Sequence, residues 1–382
     1  MDNFPENFNE FSEARRNGFV TVKKLKDEGK KVAGVFCTYT PWEIIASSGA
    51  TVVGLCGKND EAIPEAEKVL PRNLCPLIKA SYGFAITEKC PYTYFSDLIV
   101  AETTCDGKKK MYEYLNEVKP VHVMQLPQIS IGNDAYNLWR NEIIRLKERL
   151  EKEFNVEITE ENIRKMIKLK NRERKVLREF YELGKMCPPP VTGLEMMTVL
   201  NGASFKWDKE EEIKSLKDMI KDAKDRYEKG ERKVLKDAKR ILVTGCPMGE
   251  GIEKIIKLIG ENGGNVVVFE NCTGVKEIEK LVDEEKNPID AITEKYLAIG
   301  CSCMSPNTNR LNLLSELIDD YKVDGVVDII LQACHTYSVE TQSIKEFVQN
   351  KKTVPYMSIE TDYSQTDIGQ LKTRIAAFIE ML

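Results

Sequence analysis

Apolar positions recur along this chain with two periods. Over residues 8–28, Phe11, Phe19, Val20, Val22 and Leu25 fall at helical spacing and the run stops at Gly29, which predicts an opening helix. Short apolar runs rich in β-branched residues follow: KVAGVFC (31–37), ATVVGLCG (50–57), YFSDLIVAETTC (94–105) and PVHVMQLP (120–127) read as strands, with Pro41 well placed to start a helix after the first. The same alternation returns at KRILVTG (239–245), NVVVFENCTG (265–274), EKYLAIGCSC (294–303), VDGVVDIILQAC (323–334) and TVPYMSIETDY (353–363), and a last helix runs to Leu382. Strands that alternate with helices specify parallel sheets. The predicted fold class is therefore α/β, with two open parallel-sheet domains of Rossmann or flavodoxin type.

Between the two alternations the pattern changes. Residues 133–185 form a long, charged, helical stretch, and CPPPVTG at 187–193 ends it, because three prolines cannot continue a helix. A further charged helix covers about 208–229, its charge read as a solvated face. At 382 residues the chain exceeds what one core usually serves. The expected division is a first domain over 1–190, with a helical extension from about 133, and a second over 191–382. The halves are candidate structural repeats, although no clear sequence identity links them.

Charge narrows the partners. With 56 basic and 61 acidic residues mixed along the chain, the net charge of -5 leaves no footprint for nucleic acid or an anionic membrane. The polar N-terminus MDNFPENFNEFSEARRNG lacks the pattern of a signal peptide, and no apolar run reaches membrane-span length, so a cytoplasmic protein is expected. Eleven cysteines are then read in a reducing compartment, where thiols are buried, catalytic or metal-bound rather than paired. Only two histidines, His122 and His335, are present.

Cys37, Cys56, Cys105, Cys246, Cys272, Cys301, Cys303 and Cys334 all fall at or just past the end of a predicted strand. In open α/β sheets the ligand crevice lies outside those carboxyl ends, so two facing domains would gather the thiols in one interdomain cleft. Cysteine is also a small buried apolar residue, which explains any single one of the eight about as well, but not all of them at strand ends. Without histidines the metal readings are zinc or iron and sulfide. No C-x2-C knuckle occurs, and the cluster is favoured. Cys105, in AETTCDGKKKMYEY, is expected near a helix N-terminus and beside Lys108, Lys109 and Lys110, both of which lower a thiol pKa, with Glu102, Thr103 and Thr104 as polar neighbours.

The segments TPWEIIASSGA, LCPLIKASYGF, FSDLIVAETTCDGKKKMYEYL, GCPMGEGIEKII, ENCTG, GCSCMSPNTNR and DGVVDIILQACHTYSVE resemble the 2-hydroxyacyl-CoA dehydratase family, which includes benzoyl-CoA reductase subunits, over nearly the whole chain. GCSC, ENCTG and GCP together look most like its double-cubane cluster branch. The resemblance implies an 8Fe-9S double cubane, or alternatively one 4Fe-4S cluster, in the cleft. It places one cubane on Cys75, Cys105 and Cys334, with the fourth iron left open in the dehydratases. A second would take Cys272, Cys301 and Cys303, with Cys246 and Cys37 in reserve. It further implies a homodimer and a separate ATP-hydrolysing activator with its own 4Fe-4S cluster; the chain itself has no P-loop. The expected function is reduction of a small molecule with low-potential electrons. The alternatives are a subunit of a 2-hydroxyacyl-CoA dehydratase and a non-enzymatic electron carrier. Around the cluster, His335, Glu43 and Glu340 are the candidate catalytic side chains, with Glu270 and Glu360 as further carboxylates. Tyr39 and Tyr337 are expected to wall the cleft, and the three lysines to attract an anionic ligand or the activator.

Overall fold

A computed structural model describes residues 6–247 and 249–382. Its opening helix, Glu6–Asp27, leads into a four-stranded sheet: β1 (Val32–Val35), β2 (Thr51–Gly54), β3 (Leu98–Glu102) and β4 (Val121–Met124). The second sheet holds β5 (Lys239–Gly245), β6 (Gly264–Phe269), β7 (Gly325–Leu331) and β8 (Tyr356–Thr361). All pairings are parallel, and the two sheets share one order, β2-β1-β3-β4 and β6-β5-β7-β8. The chain is thus an α/β protein with two open parallel sheets.

The strand sequences explain the layering. All seven residues of β7, GVVDIIL, and all five of β3, LIVAE, are buried, as expected of parallel strands covered on both faces. Side chains alternate across β3. Leu98 and Val100 join Trp139, Ile143 and Leu146 of helix Asn133–Phe154, whereas Ile99 and Ala101 join Ile78, Met111 and Tyr112 from helices Pro76–Ile86 and Asp106–Leu115 on the other face.

Two predicted strand segments fold otherwise. The start of 94–105 belongs to a short helix, Pro91–Phe95, and β3 begins only at Leu98. The segment 294–303 is no strand: helix Pro288–Leu297 covers its first half and a loop the second. Asn287 caps that helix by accepting from the backbone amides of Ile289 and Asp290, Pro288 presets its first turn, and Ile292 and Tyr296, four apart, are buried on one face. The long charged stretch forms two helices, Asn133–Phe154 and Glu160–Glu182, separated where Asn155 turns left-handed and Thr159 caps the second. Among the described residues, no helix is long and apolar enough to cross a membrane.

Candidate functional site

The loops after β1, β2 and β3 and those after β5, β6 and β7 open on one cavity of about 850 Å³, and ten of the eleven cysteines line it. Cys187, exposed, is the exception. The topology accounts for much of this convergence. Chain winding reverses between β1 and β3 and between β5 and β7, which leaves a crevice beyond those strand ends. Cys37 follows β1, Cys105 follows β3, Cys246 follows β5 and Cys334 follows β7; Cys56 and Cys272 lie beyond β2 and β6. Cys301 and Cys303 arrive from the loop after helix Pro288–Leu297, not from a strand end.

Cys75, Cys105 and Cys334 share a backbone setting: each is the residue before the first turn of a helix, respectively Pro76–Ile86, Asp106–Leu115 and His335–Glu346. Amides in such a first turn have no partner within the helix and favour negative charge. Those of Leu77 and Ile78 stabilise the thiolate of Cys75, those of Lys108 and Gly107 that of Cys105, and that of Tyr337 that of Cys334. Cys246 and Cys75 hydrogen-bond to the sulfur of Cys334, which holds it down at about 3. The cost falls on the donors: Cys75 is raised by that bond and by burial, and Cys246 by burial and by the same bond. The backbone N–H of Leu331 donates to Cys246 Sγ at 3.1 Å.

The expected lowering of Cys105 does not prevail. Burial pushes its thiol up, and the Lys108 amide and ammonium only offset this. Of the three lysines only Lys108 is buried, donating to the Phe36 carbonyl at 3.3 Å; Lys109 and Lys110 face solvent, each 2.8 Å from Asp106 and Glu113 respectively.

Cys37, Cys272, Cys301 and Cys303 form a second group whose charges influence one another. Cys301 is lowered to about 6 by the Cys303 thiol, with Lys276 and Arg310 adding to the effect against burial. Lys276 is itself buried, 3.0 Å from Glu270, and donates to Tyr337 Oη at 3.2 Å. Two contacts hold the loop that carries Cys301 and Cys303. Tyr39 donates to the Ile299 carbonyl at 2.6 Å, and Gly300 lies so close to Arg310 that a Cβ there would sit 2.5 Å from its backbone nitrogen. Among the described residues, no three His, Cys, Asp or Glu side chains are arranged to hold a single metal ion.

His335 and Tyr337 line the cavity, whereas Tyr39, Glu43 and Glu340 do not. Glu43 is fully buried between Arg174, at 2.7 Å, and the hydroxyl of Tyr296, at 2.8 Å. Glu340 accepts from Arg310 and Asn307, and Glu360 is exposed. Glu102, at the buried end of β3, accepts from Thr40 Oγ1 and is raised to about 7, chiefly by burial, with Thr40 and Lys108 opposing. The helix predicted at 208–229 is found as Lys209–Glu228, and its first turn is solvated on one side only: Glu210 and Glu211 are exposed, whereas Lys209 and Glu212 line the same cavity, together with Lys170, Glu173 and Asn201. The signal was the stripe itself, since positions 209 and 212 precede Ile213, Leu216 and Met219 at helical spacing.

The chain is 55% identical to the protein of Escherichia coli (strain K12) that carries the provisional name dehydratase subunit YjiM, over 100% of this chain and 99% of the relative. It is 25% identical to the (R)-phenyllactyl-CoA dehydratase beta subunit of Clostridium sporogenes, over the whole of both chains. A benzoyl-CoA reductase subunit of Thauera aromatica is 20% identical over 94% of this chain and 92% of its own. Residues 37–382 match the family model described as 2-hydroxyglutaryl-CoA dehydratase, D-component. The chain therefore belongs to this family of enzymes, whose named members are dehydratases and reductases.

Proposed function

We propose that this chain is the cluster-bearing subunit of a reductase of small molecules, an iron–sulfur enzyme of double-cubane type. In this reading its electrons come at low potential from a separate ATP-hydrolysing activator carrying a 4Fe-4S cluster, and the chain pairs with a second copy of itself. The observation that carries the reading is the convergence of ten cysteines from both sheets on one cavity. The donor set suits iron and sulfide: eight of the thiols fall into two groups of four, and clusters of this kind are held by thiolates, each on its own iron. We assign Cys75, Cys105 and Cys334 to one cubane and Cys272, Cys301 and Cys303 to the other, with Cys246 and Cys37 beside them as further donors.

Bound there, the cluster supplies electron storage and Lewis-acidic iron. The protein's own groups set its surroundings. Main-chain amides at three helix starts offset negative charge on sulfur, and the buried ammoniums of Lys108 and Lys276 balance the thiolates from either sheet. Glu102, titrating at about 7, holds or releases a proton near neutrality beside Cys37, and His335 is a second proton donor at the cavity wall.

The names of the relatives favour a second reading, a beta-type subunit that joins a different chain to dehydrate a 2-hydroxyacyl-CoA thioester. Iron and acid-labile sulfide per chain on anaerobically purified protein separate the two. Roughly eight irons and nine sulfides support the double cubane, and roughly four of each favour the dehydratase reading. Protein with no iron at all overturns both.

A further inference from the structure

The loop after β6 folds back on itself within a few residues. Asn271 donates through Nδ2 to the Cys246 carbonyl at 2.6 Å, and Thr273 turns left-handed at φ 68°. Gly274 is so enclosed that a Cβ there would sit 2.4 Å from the Phe269 carbonyl oxygen. The fold-back holds Cys272 at the cavity wall and turns Lys276, four residues on, into the interior. Lys276 is 2% exposed, lies 3.0 Å from Glu270 and donates at 3.2 Å to the hydroxyl of Tyr337, which itself lines the cavity. Burial works against an ammonium here, but Glu270 and then Cys272 outweigh it and hold Lys276 above the ordinary lysine value, so its charge is permanent.

This one ammonium acts on all three thiols of one assigned set. Cys272 is raised by burial, with Lys276 the foremost group opposing; Cys301 is lowered by the Cys303 thiol and, against burial, by Lys276. Cys303 is raised by its bond to Cys301 and by burial, again with Lys276 opposing. Glu270 also acts on Cys272, but less than Lys276 does, so the positive end of the ion pair dominates at the sulfur. Arg310, the other buried cation nearby, is matched by Glu340 and lies 3.5 Å from Glu270 and 3.9 Å from Asp328. In the other set, Lys108 acts on Cys105, whereas main-chain amides and neighbouring thiols surround Cys75 and Cys334.

We propose that Lys276 is a positioning residue: the ammonium fixed behind Cys272, Cys301 and Cys303 sets the reduction potential of the cluster half these thiolates hold and makes it the first half to be reduced. The inference deepens the reading above and rests on it. One electron arrives from the low-potential activator and leaves that half one unit more negative; no bond breaks and no proton moves. A fixed positive charge in a poorly polarisable interior favours the more negative state, so the ratio of reduced to oxidised form rises at any given potential. Glu270 acts with the opposite sign, and the Tyr337 hydroxyl fixes the direction of the ammonium.

The test is a redox titration with titanium(III) citrate, followed by electron paramagnetic resonance on the anaerobically purified full chain, with iron counted on every protein. Two one-electron steps are expected of two cubanes. Lys276→Met should lower the midpoint of the first step by about 59 mV or more, a tenfold fall in the ratio of reduced to oxidised form, and move the second step less. Lys276→Arg, which keeps the charge, should restore most of the difference, and Glu270→Gln should move the first step upward. Opposite signs from the two partners of one ion pair separate charge from packing, because a structural defect in either would act the same way. An unmoved first step in iron-replete Lys276→Met, a shift confined to the second step, shifts of one sign in both variants, or a single step in wild type overturns the proposal. Where Lys276→Met fails to hold iron, Glu270→Gln decides alone: a raised first step supports the proposal and an unraised one overturns it. Wild-type protein without iron overturns the inference together with the reading beneath it, whereas iron-replete wild type with unmoved variants overturns the inference alone.

Discussion

Glu43 divides a chemical from a structural role in a measurable way. Its carboxylate and the Arg174 guanidinium are both 0% exposed and 2.7 Å apart, and Tyr296 donates to the second oxygen at 2.8 Å. The pair joins helix Trp42–Ser47 to helix Glu160–Glu182. Burial raises the Glu43 carboxyl, but Arg174 and then Lys295 outweigh it and hold the group below the ordinary carboxylate range. Arg174→Met keeps the length of the side chain and removes its charge, so the carboxylate is left buried without its counter-ion. Breaking such a pair costs about 3–5 kcal/mol. For a domain of 150–250 residues that lowers Tm by on the order of 10 °C. Removing both charges together, Glu43→Leu with Arg174→Met, recovers most of the loss, with a coupling energy on the order of 3 kcal/mol.

The assay is thermal unfolding followed by circular dichroism on wild type, both single variants and the double variant, with turnover measured alongside. The sign with pH follows from the lowered carboxyl: the pair's contribution is present above the unfolded value of about 4.3 and is lost as pH falls through the lower folded value. The gap between wild type and Arg174→Met should accordingly narrow in acid. An Arg174→Met protein that melts with wild type refutes the structural role. So does a Glu43→Gln protein that keeps wild-type stability yet loses turnover.

Three further predictions concern the thiols and their surroundings. Cys334→Ser and Cys301→Ser should each lose about half of the iron, as expected if each belongs to its own cubane, while Cys187→Ser, altered at the exposed thiol, should keep all of it; iron analysis of the three proteins decides. Glu102, raised to about 7 mainly by burial, contributes fully below the unfolded value of about 4.3 and progressively less as pH rises through 7. Glu102→Gln should therefore be more stable than wild type at pH 8 and equal to it near pH 4 in urea titrations. Gly300→Val forces a side chain against the backbone of Arg310, an overpacking worth about 1–3 kcal/mol. The displaced loop should lower iron bound by Cys301 and Cys303 and spare that bound by Cys334, and an unchanged iron content would contradict the role given to this loop.

Much of this protein was legible from sequence because local patterns determine it. Strand and helix periods, the proline-rich break at 187–193 and the placement of Cys37, Cys105, Cys246 and Cys334 after strands need only short-range physics, and open parallel sheets send strand ends to a crevice. The family motifs pointed to the same place. Tertiary structure decided what depends on neighbours distant in sequence. Segment 294–303 reads as a strand, but Asn287 and Pro288 cap a helix that takes its first half, with an apolar face packed on helix Asn133–Phe154. Lys108 was one of three alike lysines until packing buried it and left the others in water. Burial, which no local pattern specifies, raised Cys105 where charge alone predicted lowering, withdrew Glu43 into an ion pair with a residue 131 positions away, and turned one side of the first turn of a charged helix into the wall of a cavity. Desolvation depends on everything within reach of a group, and the chain determines that only once it is folded.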